Sequence, residues 1–399
     1  NEIKRVISCL RRFYESEPPR PEIEAWGTPE KLKISTDENF AQVKPFVGQT
    51  ISSVAFEAIR HFTNGFYGMN GKRFHERIQQ HRIRDCHGDL HLDHIHLTPK
   101  ATTIFDCIEF NDRFRFIDVA SDLAFLAMDF DFEDRSDLAN LLLQTAARDF
   151  RDDEMLRVSD FYKCYRAFVR GKVESIQAIS TEAAKAEEHA KQATRYFCLA
   201  LQYAVSGSER LALVIMGRVA TGKTTIARQL GRELDWPVFS SDRIRKMLAR
   251  VPPTQRTTRK RRGEVYSERM TEQTYKELWA DGIAALKVHR GVILDATFSR
   301  QANREFLREQ CAKAGPRLQL VELDVDLGEI ERRLKARDQS AGEISDARFD
   351  DFEKLTVAYE PPSELSPDLI KVSANDLVSD TVKEVLLRLS ENNCSRIIS

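Results

Sequence analysis

The residues best equipped for chemistry lie in residues 211–230, LALVIMGRVATGKTTIARQL. An apolar run from Leu211 to Met216 stops at Gly217. A loop of Arg218, Val219, Ala220 and Thr221 leads to Gly222, Lys223, Thr224 and Thr225, after which Ile226, Ala227 and Leu230 recur at helical spacing. The order is strand, glycine loop, helix, and Gly217-x-x-x-x-Gly222-Lys223-Thr224 satisfies every specified position of the Walker A pattern. Backbone N–H groups can close around phosphate oxygens where bulky side chains are kept away, which Gly217 and Gly222 permit. The new helix points its positive end at the same anion. Lys223 is suited to the β- and γ-phosphates and the Thr224 hydroxyl to Mg²⁺. The stretch from Gly217 to Thr225 is therefore expected to hold ATP or GTP.

Two acids follow predicted strands downstream. Asp242, in Ser240-Ser241-Asp242, can take a proton from an attacking hydroxyl or help hold Mg²⁺, or it can cap the helix it opens. Asp295, in Leu294-Asp295-Ala296-Thr297, is placed as a second acid near the metal, or as a strand-end turn residue. Arg332, Arg333 and Arg337 lie on a predicted helix, with Arg333 and Arg337 on one face, and the polar segment QSAGEISDA beyond them suits a lid. Together GRVATGKT, SSDRIRK, LDATF and RRLKAR resemble the small P-loop kinases, such as gluconate kinase and the kinase part of polynucleotide kinase, over roughly residues 209–360. The resemblance implies ATP- and Mg²⁺-dependent phosphoryl transfer to a hydroxyl of a small molecule. It makes Asp242 the general base or hydroxyl ligand, puts Asp295 beside the metal and makes Arg333 and Arg337 lid arginines. The basic loop PPTQRTTRKRRG at 252–263 opens an alternative acceptor, a nucleotide or nucleic-acid end. It lacks stacking aromatics, so a solvated insert is favoured and nucleic acid is the lesser expectation.

The earlier half holds a second candidate. Residues 87–97 read HGDLHLDHIHL, and seven of the nine histidines fall between His61 and His96. His87, His91, Asp93, His94 and His96 could supply zinc ligands, but no H-E-x-x-H motif or cysteine pair supports them. A catalytic loop is the better match. HGDLH, IFDCIEFN at 104–111 and RFIDVASDLAFL at 115–126 resemble the aminoglycoside phosphotransferase-like kinases over about residues 36–175. That resemblance implies Asp89 as base, Asp106 as Mg²⁺ ligand, and Asp118 and Asp122 as brace and cap. It also implies an Asn five residues after Asp89, where this chain has His94. FAQVKPFV and VAFEAIRHF look helical where phosphate-covering strands are expected, so this half is read as a kinase-like C-lobe without its N-lobe. Either the chain is a fragment, as its start at Asn1 inside a helical pattern suggests, or this half has lost nucleotide binding. In the latter case an ATP-driven switch acting on a silent kinase-like half is the rival reading. The pairing of both halves resembles bacterial proteins that join these two domain types.

The elements that must position these residues fall into two sets. Residues 1–205 read as mainly helical, and Ser206-Gly207-Ser208 breaks the pattern. From 209 to 399 strands and helices alternate, including one long helix near 264–289, which predicts an α/β domain with a parallel sheet covered on both faces. A net charge of −1 gives no global pull toward nucleic acid or membrane. Seven scattered cysteines without a C-x-x-C pair argue against a disulfide framework, and no apolar run reaches membrane length. A cytoplasmic protein with ATP and a small-molecule acceptor as partners is the expectation.

Overall fold

The computed structural model describes residues 2–252, 255–338, 346–365 and 369–398. The chain divides into two compact units, Ser208–Arg388 and a largely helical one comprising Asn1–Gly207 with Leu389–Ser399. The break at Gly207 has a steric cause. The helix Ala183–Ser206 ends there with φ +64°, and a side chain on Gly207 would collide with the Asp160 carboxylate. Assigning everything after 209 to the second unit needs correction. Asn393 donates from Nδ2 to the carbonyls of Tyr203 (3.0 Å) and Ala204 (3.2 Å), and the Cys394 thiol donates to Phe62 O. The closing helix Val378–Ile398 thus ends by satisfying carbonyls at the end of another helix, which sequence order does not announce.

In the helical unit, residues 2–79 form helices and 3-10 turns, with the first strand at Ile83–Asp85. The long helices Glu154–Ser180 and Ala183–Ser206 pack on each other, with Phe168 and Phe197 ring centroids 5.3 Å apart. Gly171 is the close-approach point, since a Cβ there would lie 2.8 Å from the Phe197 ring. At the centre of the unit Arg77 is 1% exposed. It donates to both Asp118 oxygens at 2.7 and 2.6 Å and to Asp152 at 2.5 Å. A buried guanidinium is tolerated because two carboxylates meet it.

The second unit is built on five parallel strands in the spatial order Val238–Ser240, Gly291–Asp295, Leu211–Met216, Arg317–Asp324, Ile370–Ser373. Parallel strands need crossovers, and helices supply them. Every residue of Leu211–Met216 is buried, as expected of a central strand covered on both faces. The long helix expected near 264–289 is two, Arg259–Val265 and Glu268–Ala285. Ser267 accepts from Met270 N and restarts the chain as an N-cap, a signal that apolar periodicity overrides when read alone.

Candidate functional site

Sheet register sets the site. Ile215 lies opposite Asp295, and Asp295 lies opposite Ser240, so the ends of three strands and the loops leaving them converge. The central strand turns into its loop at Gly217, with φ +134°. A Cβ there would sit 2.6 Å from Leu323 O on the neighbouring strand, so glycine is required by space as well as by angle. Ala220 takes φ +61° and Gly222 φ +90°, and the helix Lys223–Leu234 begins immediately after. Thr221 Oγ1 donates to Arg218 O at 2.9 Å and ties the loop to itself. Val219 is half-buried and Thr225 exposed. Lys223 Nζ reaches across the loop to Arg218 O at 2.6 Å. Enclosure strips water from this ammonium and pushes its pKa down to about 8, against the opposing pull of the Asp295 and Asp242 carboxylates.

Thr224 and Asp295 are joined directly, with the hydroxyl donating to Asp295 Oδ2 at 2.7 Å. Asp295 is 3% exposed. Burial raises its pKa, while Thr224, Lys223 and Ser240 counter that rise. Asp242 does not cap its helix. Ser240 occupies the cap position of Ser241–Leu248, and Asp242 sits inside the first turn, half-buried, with no hydrogen bond among the described residues. Its charge bears on Lys223 and Asp295, so all three share one field. Arg333 donates to Glu329 at 2.7 Å and Ala374 O at 2.8 Å, and its Nη1 lies 3.8 Å from where a Gly222 Cβ would be. Arg337 also bears on Lys223, lowering its pKa. Arg332 instead faces solvent, paired to Glu329. Of the expected lid at 339–347, residues 339–345 lie outside the described residues, and Asp346 and Ala347 are described.

Some site features were not picked out from the sequence. Ser240 stands opposite Asp295 in the sheet and helps hold down its pKa, a pairing set by strand register. Asp346 accepts from Thr257 N (2.9 Å), Thr257 Oγ1 and Tyr266 OH (3.1 Å), knitting the basic loop to residues far along the chain. Three of that loop's cations serve backbone carbonyls: Arg256 donates to Arg337 O, Arg261 to Ala249 O and Arg262 to Asp346 O. Charge counting cannot see such backbone acceptors.

The helical unit holds its own loop site. Gly88, at φ +83°, packs where a Cβ would be 2.6 Å from Phe114 O. Asp122, fully buried, accepts from His87 N and Gly88 N, each at 3.0 Å, and from Tyr14 OH at 2.8 Å. Asp118 caps the helix Val119–Phe132 by accepting from Ala120 N. Arg166 donates to Gly88 O at 3.0 Å from a distant helix, a partner with no sequence signal. Asp89 and Asp106 both line one cleft of about 1020 Å³, and His94 lies between them.

A family model described as an AAA domain matches residues 213–362. An uncharacterised protein of Mycobacterium tuberculosis is 30% identical over 307 residues, 77% of this chain and 61% of its own length. A same-length match at the same identity occurs in Mycobacterium bovis. The chain thus spans 61% of the length of these curated relatives. A shikimate kinase of Corynebacterium efficiens is 31% identical over 126 residues, 31% of this chain and 64% of that protein. Among solved structures, a gluconokinase from Sinorhizobium meliloti aligns at 20% identity over 45% of this chain and 94% of its own, with TM-score 0.31. The strand order, the loop and the family match define the second unit as a P-loop nucleotide-binding domain.

Proposed function

We propose that the protein is an ATP- and Mg²⁺-dependent phosphotransferase whose working site is the P-loop of the second unit, with a hydroxyl of a small molecule as acceptor. The observation that carries this reading is the Thr224–Asp295 contact at 2.7 Å beside Lys223 and Asp242. It places two hard oxygen donors and a second carboxylate around the start of an N-terminal helix turn, a set that fits Mg²⁺. Burial raising the Asp295 pKa means that this carboxylate gains from a cation beside it. Thr224 and Asp295 would hold the ion, which when bound supplies charge neutralisation on the phosphate chain.

The chain's own groups then divide the work. Backbone N–H groups from Gly217 to Thr225 orient the phosphates. Lys223 exchanges its contact with Arg218 O for phosphate oxygens and regains full charge there. Arg333 and Arg337 offset charge on the group in transit. Asp242, without a competing hydrogen bond among the described residues, takes the proton of the acceptor hydroxyl. The small-molecule acceptor is preferred to a nucleic-acid end because Arg256, Arg261 and Arg262 already serve backbone carbonyls. We place Asp89 and Asp106 outside this transfer.

The test is ATP consumption by the purified chain against a panel of sugars, other polyols, nucleosides and oligonucleotide ends. Acceptor-stimulated turnover by a polyol supports the proposal. Stimulation confined to oligonucleotide ends, with steep salt dependence, would replace it with the nucleic-acid reading. Nucleotide binding without turnover on any acceptor would favour a switch.

A further inference from the structure

The loop around Asp89 is rich in histidine, and the structure narrows the set that could hold zinc. His87 is spent: its Nε2 is 2.7 Å from Phe105 O and its Nδ1 accepts from Asp89 N. Asp93 and His96 are exposed. Asp89, His91 and His94 remain, and each brings a ligand-capable atom within 4.8 Å of the other two. We propose that these three residues form a binding site for a zinc-class divalent transition-metal cation, with the Asp106 carboxylate beside it at His94 Nε2.

The argument begins with the tautomer of His94. Its Nδ1 faces Asp89 O at 2.9 Å, and a carbonyl only accepts, so Nδ1 carries the proton and Nε2 keeps its lone pair. That lone pair faces Asp106 Oδ2 at 3.3 Å. Two electron-rich atoms in opposition call for a cation between them or a second proton on the ring. Distance favours the cation, because charge-assisted hydrogen bonds close to about 2.7–2.9 Å. His91 Nε2 and Asp89 Oδ2 stand similarly apart, at 3.5 Å. Tetrahedral zinc with bonds of about 2.0–2.1 Å separates its ligands by about 3.3 Å, close to these two values, and binding requires the His94 ring to bring Nε2 toward the Asp89 carboxylate, which now lies nearest Nδ1 at 3.9 Å.

The surroundings fit the same reading. A backbone carbonyl holding the far nitrogen of a histidine is the usual way a ligating ring is oriented, and Asp89 O does this for His94. Asp93 Oδ2 lies 3.7 Å from His91 Nδ1 on that ring's far side. His91 and His94 rings sit 3.9 Å apart, both shielded from water, so neither is a solvated surface imidazole. The donor chemistry selects the ion. An asparagine at position 94 would offer an oxygen to Mg²⁺, whereas imidazole suits zinc, cobalt or nickel. This site is independent of the P-loop reading, and either can fail without the other.

The probe is Co²⁺ added to the full chain, read by its visible absorption and by calorimetry. The expected result is one Co²⁺ per chain, displaced by equimolar Zn²⁺ but not by millimolar Mg²⁺. His91→Ala and His94→Ala, with folds verified by circular dichroism, should each weaken binding at least about tenfold. His94→Asn should lose Co²⁺ preference while remaining folded, and Lys223→Ala should bind Co²⁺ as the wild type does. Absence of Co²⁺ binding, retention of it in both histidine-to-alanine variants, or equal displacement by Mg²⁺ would each overturn the proposal.

Discussion

The two loop sites of this chain use the same materials, a glycine with positive φ and paired acids, yet they arrive at different donor chemistry. At the P-loop, Gly217 and Gly222 clear space for backbone N–H groups, and the side chains that converge are a threonine hydroxyl, two carboxylates and a lysine. At the second loop, Gly88 lets the chain pass Phe114 O, and two shielded imidazoles converge with Asp89. Oxygen donors beside an anion cradle suit Mg²⁺ and a triphosphate, and nitrogen donors suit a softer ion. Loop shape alone therefore does not define a site's chemistry. The side chains that follow the glycine do, Lys223 and Thr224 after Gly222 against Asp89, His91 and His94 after Gly88.

The contrast can be broken most sharply at Lys223. Lys223→Ala should lower ATP turnover about 10³-fold while leaving Co²⁺ binding in the helical unit unchanged. Loss of both would show that the two sites are not separable. Asp242→Asn should reduce turnover by at least about 10²-fold with ATP affinity retained, as read by calorimetry beside steady-state kinetics. Retained turnover removes Asp242 from the base role. Asp89→Asn in the same assay should leave turnover as it was, and a clear loss would relocate the working site to the helical unit.

Arg77→Ala tests the scaffold of the second loop. It leaves Asp118 and Asp152 buried without their partner and should destabilise the helical unit by about 3–5 kcal/mol in urea unfolding. Co²⁺ binding should fall with it and nucleotide binding should persist.

A smaller effect comes from pH. Lys223 has its pKa pushed down to about 8 by enclosure, below the ordinary lysine value. The nucleotide-free fold therefore binds this proton less well than the unfolded chain does. Its protonated form is disfavoured below pH 8, and the unit gains stability as pH rises from about 8 toward the ordinary value. A bound phosphate chain reverses the preference. Nucleotide binding at pH 9 should take up close to one proton and weaken by up to about tenfold per unit above pH 8, with little uptake at pH 7. Calorimetry in two buffers of different ionisation enthalpy measures this, and uptake that is equal at both values would contradict it. The smallest effect is expected for Arg332→Ala. Its exposed pair with Glu329 is screened by water, and neither stability nor turnover should change measurably.

Much of the second unit was legible in the chain. The apolar run ending at Gly217, the two acids after strands and the alternation of strand and helix locate the sheet and the edge that carries the candidate site, because period and glycine position are local properties. What escaped was long-range. The split of the helix at Ser267 depends on one hydroxyl, and the service of Arg256, Arg261 and Arg262 to backbone carbonyls depends on folding of the insert. The return of Asn393 to the helical unit likewise needs a partner from far along the chain.

By itself the sequence determined the P-loop turn, since glycine spacing, a lysine and a threonine fall within one strand–loop–helix segment. It also determined that position 94 carries imidazole. Only the tertiary structure decided that Thr224 meets Asp295 and that Asp106 comes to face His94. Those pairings join residues on separate elements, Thr224 on a helix with Asp295 at a strand end and His94 on a 3-10 turn with Asp106 in a loop, and such distances are set by packing that no local pattern encodes.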